Sequence, residues 1–90
     1  MQPKVLDETV ARIQQMEACF DHLYALLHGQ PPTVDEALLS CLLRYYEGGQ
    51  WRKDYELDEQ GLLPRDLKRG VLSEDAVYNL LLEIQNRKEN

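Results

Sequence analysis

At 90 residues, 43% hydrophobic and 29% charged, the chain suits one globular domain, not two cores or a disordered tail. Sixteen acidic against ten basic side chains leave a net charge of −6, which speaks against a nucleic-acid binder and against docking on an anionic membrane. No apolar run approaches the roughly 20 residues of a membrane span, and the opening Met1-Gln2-Pro3-Lys4 lacks the apolar stretch of a secretory signal, so a cytoplasmic protein is expected.

The first predicted element runs from Val5 to His28. Leu6, Val10, Ile13, Met16, Phe20, Leu23 and Leu27 recur three or four residues apart, which aligns them on one helical face. Gly29 is expected to end this helix in the left-handed conformation, and Pro31-Pro32 to bar its continuation. A second helix is predicted from Thr33-Val34-Asp35-Glu36, where Thr33 and Glu36 have the spacing of a reciprocal cap. Its stripe of Val34, Ala37, Leu38, Cys41, Leu42 and Tyr45 stops at Gly48-Gly49. The short link between these two helices predicts an antiparallel hairpin.

A shorter helix follows from Gln50 to Gln60, with Trp51 and Tyr55 one turn apart on its buried side and Gly61 as its stop. Trp51 is expected to be buried against Leu63 or Leu67 and the last helix near Val77 and Leu81. Leu62, Leu63 and Leu67 around Pro64 read as an irregular segment whose leucines plug the core. The last helix is predicted to start at Ser73 as cap, with Glu74 and Asp75 in its first turn and Leu72 stapled on Val77. Val77, Leu80, Leu81 and Ile84 continue it, and the polar tail from Asn86 to Asn90 is expected to fray. No stretch alternates as a half-buried strand does. The prediction is one all-α domain over residues 1–90: three long helices, a short fourth and a leucine-rich loop.

Three stretches resemble a known family: the ARIQQME run from Ala11 to Glu17, the WRKDYELDEQG run from Trp51 to Gly61, and LPRDLKRGVLSEDAVY from Leu63 to Tyr78. They are similar to small bacterial proteins grouped as domain of unknown function four-two-nine-eight. The resemblance implies a bacterial or phage origin and a small helical fold. It implies no reaction, substrate or site.

The residues offer little chemistry of their own. Asp54, Glu56 and Asp58 alternate as in a calcium loop, but Glu59 stands where the turn glycine belongs and Arg65 where the closing glutamate belongs. If the segment is helical, Asp54 and Asp58 share one face, which reads as a solvated surface. Cys19 and His22 are three apart on the first helix, and Cys41 lies at a similar height on the second. They could approach one another, yet three ligands without paired spacings fall short of a structural zinc site, and two thiols suit a reducing compartment. Ser40 and Ser73 are the only serines, and neither sits in a nucleophile setting. No enzyme, cofactor or metal is expected.

Two readings of function remain. The first and second helices carry more apolar residues than one stripe needs: Val5, Cys19, Tyr24 and Leu26 on the first, Leu39, Leu43 and Tyr46 on the second. That excess predicts an interaction module binding a protein partner or a second copy of itself, with Leu26, Leu39, Leu43, Tyr46 and Tyr24 as contacts. The alternative is a regulator that binds a small ligand or metal among Trp51, Tyr55, Arg65, Lys68 and Arg69. Against it, Lys68 and Arg69 are expected to pair with the acids of residues 54–59.

Overall fold

The computed structural model describes the backbone of residues 3–73 and 75–89 and the side chains of residues 7–73 and 75–87. Among the described residues there are four α-helices, one 3-10 turn and no strand: α1 (Pro3–Leu27), α2 (Glu36–Glu47), α3 (Gln50–Glu59), the turn Gly70–Leu72 and α4 (Ala76–Glu89). The expected roles of the Val5, Leu6 and Glu74 side chains, and of Asn90, lie outside the described residues. Asn86 to Glu89, expected to fray, continue α4.

The stripe read from α1 is the buried one. Ile13, Leu23 and Leu27 are fully buried, and Met16 nearly so. With 25 residues, α1 is about 37 Å long at the usual helical rise. It sets the long axis of a molecule measuring 48 × 20 × 19 Å. Against it pack α2, the 3-10 turn and α4, and Leu42, Val71 and Val77 close the centre of the core.

The ends of the elements differ from expectation in four places. Gly29 does not adopt the left-handed conformation; Gly49 and Gly61 do, with φ of 95° and 72°. The α1 terminus is held instead by the Thr33 amide, which donates to the Leu26 carbonyl at 2.9 Å. The cap of α2 is Asp35, not Thr33. Its carboxylate accepts from the Ala37 and Leu38 amides at 3.0 and 3.1 Å, so the helix starts at Glu36. Thr-Val-Asp-Glu contains two capping residues, and the charged one adjacent to the helix gains from the dipole as well. Asp35→Ala should lower stability by about 1 kcal/mol and Asp35→Asn by much less, measured by urea unfolding.

Ser73 does not cap α4. Its amide donates to the Gly70 carbonyl and ends the 3-10 turn, and α4 begins at Ala76 with the Asn79 amide donating to the Asp75 carbonyl. Finally, Leu63 and Leu67 plug the core as expected, whereas Leu62 stays 45% exposed.

Candidate functional site

Asp54 departs furthest from the sequence reading. It is fully buried, not on a solvated face. It lies three residues beyond Trp51 on the side of α3 that faces the core, and a carboxylate there needs donors. Four converge on it. Arg12 of α1 approaches side-on, Nε donating to Oδ2 at 3.1 Å and Nη2 to Oδ1 at 2.8 Å. The Tyr45 hydroxyl of α2 donates to Oδ2 at 2.7 Å and the Gln50 amide to Oδ1 at 3.2 Å. Arg12 Nη2 also reaches Thr9 Oγ1 at 3.2 Å, so three helices meet at one carboxylate. Burial, then the hydrogen bond to Asp54, push the Tyr45 phenol well above its ordinary pKa, and the same carboxylate raises that of Arg12. Both donors therefore hold their protons throughout the accessible pH range. This is a structural joint between three helices.

The region offered for a small ligand is likewise occupied by the fold. Trp51 is buried as expected, with Nε1 donating to the Val71 carbonyl at 2.8 Å. Its ring stacks on Tyr55 at 5.1 Å and meets Tyr46 edge-on at 5.2 Å. Leu63, Leu67 and Val77 belong to the same core, and Leu81 packs on it half-buried. Arg69 pairs with Asp58 as expected and also donates to the Leu67 and Pro64 carbonyls. Lys68 does not pair with residues 54–59. It reaches across to Asp21 of α1 at 2.7 Å, whose carboxylate raises the lysine pKa. Arg65 is exposed.

Glu17 completes this joint from α1. It is buried, and its Oε1 accepts from the Val71 amide at 2.8 Å, tying the 3-10 turn to the long helix. Among the described residues no buried side-chain nitrogen or oxygen lacks a partner.

Across the α1–α2 hairpin, Cys19 and Cys41 line one cleft. Cys19 is buried and Cys41 half-buried, and Cys19 Sγ donates to the Leu38 carbonyl, one turn before Cys41, at 3.3 Å. Desolvation first, then Cys41, push the Cys19 thiol up to about 11. His22 lines the same cleft. Among the described residues no group of three or more His, Cys, Asp or Glu side chains is placed to hold a metal ion.

The residues singled out for partner contact separate. Leu39 is buried, Leu26, Leu43 and Tyr46 are half-buried, and Tyr24 is 51% exposed. Tyr24 stacks on His28 at 4.3 Å, and His28 Nε2 lies 3.2 Å from Glu83 of α4. Three of the five line a groove that the sequence did not reveal. It lies between α2 and α4 and encloses about 450 Å³. Leu39 and Ile84 form its floor, and Leu43, Tyr46 and Leu81 its walls. Tyr78 and Leu82, 53% and 41% exposed, stand at its edge. Among the described residues, Glu47 is the only charged one lining it. Tyr78 and Leu82 escaped notice because the stripe counted on α4 was its buried one.

Taken together, this architecture defines a small all-α domain in which buried polar side chains join the helices and an apolar groove opens between α2 and α4. The sequence model of the family described as Domain of unknown function (DUF4298) matches residues 13–89, and the chain belongs to that family. No curated protein and no solved structure matches the chain. No helix among the described residues is long and apolar enough to cross a membrane.

Proposed function

We propose that this protein is a non-enzymatic interaction module that binds an amphipathic helical segment of a partner protein in the groove between α2 and α4. The observation that supports it is the pair Tyr78 and Leu82, one helical turn apart and exposed beside Leu43, Tyr46 and Leu81. Such a strip is costly to leave in water and has the shape of a helix-binding groove. A partner helix fits with bulky apolar residues at i and i+4 and a Lys or Arg to meet Glu47. The long-range field of a chain with net charge −6 favours a cationic helix over a second copy of the same chain. The surface thus moves from the α1–α2 face to the α2–α4 face. The ligand-binding alternative gains no support, because Trp51, Lys68 and Arg69 are engaged within the fold.

Fluorescence polarisation with a labelled Leu/Lys amphipathic peptide tests this reading. Binding in the micromolar range is expected, weakened at least about tenfold by Leu82→Glu. The melting temperature of that variant should stay close to wild type, since the position is on the surface. A Leu/Glu peptide of the same pattern should bind poorly. Absence of binding to the Leu/Lys peptide, or a mass that doubles with concentration and is restored to monomer by Leu82→Glu, overturns the partner-helix reading.

A further inference from the structure

The α1–α2 hairpin places two thiols on facing helices, one buried and one half-buried, beside a cleft of about 230 Å³ that both line, with Cys19 Sγ bonded to the Leu38 carbonyl one turn before Cys41. Neither belongs to the groove or to the Asp54 joint. A structural cysteine needs no second thiol within reach, and nothing in the packing requires sulfur at both positions. We propose that Cys19 and Cys41 are a modification site: a dithiol that a small-molecule disulfide converts to an intramolecular disulfide, fastening α1 to α2.

The two thiols divide the work by exposure. Cys41 is the accessible one, so its thiolate attacks one sulfur of the reagent R–S–S–R, giving a mixed disulfide at Cys41 and releasing RS⁻. Cys19, protonated and buried, does not react with reagent from solution. Next to the mixed disulfide it needs no encounter. Its sulfur attacks Cys41 Sγ as its proton passes to the departing sulfur, and the second group leaves as R–SH, while the first RS⁻ has taken up the proton that Cys41 lost. In sum, the protein dithiol and R–S–S–R give the protein disulfide and two R–SH. The two electrons lost by the cysteines reduce the reagent.

The bond closes a loop of about 22 residues that includes the connection between the helices. Constraining that loop in the unfolded chain should raise the melting temperature by roughly 10 °C or more. Because α2 is also one wall of the groove, its attachment to α1 is the part of the fold that oxidation alters.

Reduced protein exposed to oxidised glutathione, followed by intact mass and melting temperature, tests the proposal. Wild type should lose two hydrogens, retain no adduct and melt higher. Cleavage at acidic residues should release two peptides joined until reduced. Cys19→Ser should stop at a stable glutathione adduct on Cys41, and Cys41→Ser should remain unmodified at the same dose. A wild type that accumulates the adduct, cross-links between molecules, or stays unmodified under conditions that load Cys19→Ser overturns it.

Discussion

Arg12→Ala is expected to destabilise the protein by about 3–5 kcal/mol, more than Asp54→Ala. Removing the arginine strands a fully buried carboxylate with only neutral donors, the costly way to break such a pair. Removing the aspartate instead leaves a guanidinium that is 31% exposed and can turn to water. What is then lost is the acceptor of the buried Tyr45 hydroxyl, worth about 1–3 kcal/mol, while the half-buried Gln50 amide can also turn to water. Tyr45→Phe should fall within that lower range. The double variant Arg12→Met with Asp54→Leu should be less destabilised than Arg12→Ala, because no buried charge remains. Urea unfolding of the four proteins gives the comparison, with unchanged m-values required for it to be valid. An Arg12→Ala protein within 1 kcal/mol of wild type would show that the joint contributes little.

Trp51→Ala should cost about 3–5 kcal/mol, the range for deleting a buried aromatic. A 90-residue domain has a total stability of roughly 5–13 kcal/mol, so this variant sits near the limit of folding. Two contributions separate under a milder change. Trp51→Phe keeps an aromatic surface against Tyr55 and Tyr46 but removes the donor to the Val71 carbonyl. It should cost about 1–3 kcal/mol, most of it the unpaired carbonyl. Thermal unfolding followed by far-ultraviolet circular dichroism reads both. If Trp51→Ala melts with wild type, the assignment of this ring to the core fails.

The elements were legible because their signals are local. Apolar spacing on α1, two glycines after α2, and Trp51 with Tyr55 one turn apart each report on a single helix. The joint was not legible for a general reason: Arg12 and Asp54 are 42 positions apart, and Glu17 and Val71 are 54 apart. A carboxylate followed by other carboxylates reads as surface until the cation that faces it is known. The same limit explains Lys68, whose nearest acids in sequence are not its partner. One clue was available, since Asp54 falls on the Trp51 side of α3, where a charge is out of place. The groove hides in a different way. Its residues come from two helices whose stripes were read separately, and only their approach across the groove makes one surface of them. The three stretches that carry the family resemblance contain Arg12, Glu17, Trp51, Asp54, Asp58, Arg69 and Gly70. Most of what is distinctive in them joins helices, whereas the α2 wall of the groove lies outside them.

Glu17 and Gly70 constrain how this sequence can drift. A methyl group built on Gly70 would stand 3.0 Å from Glu17 Oε2, closer than all but a few such contacts. The carboxylate cannot swing away without leaving the Val71 amide buried and unanswered. Growth at residue 70 therefore requires the Glu17 carboxylate to give by a few tenths of an ångström while it keeps its bond to the Val71 amide. A shift to aspartate would draw the turn toward α1, and alanine at both positions would leave the amide bare. The two sites should change as a pair. Enlargement at 70 combined with glutamate kept at 17 would be the strained combination, a coupling that joins the first third of the chain to the last.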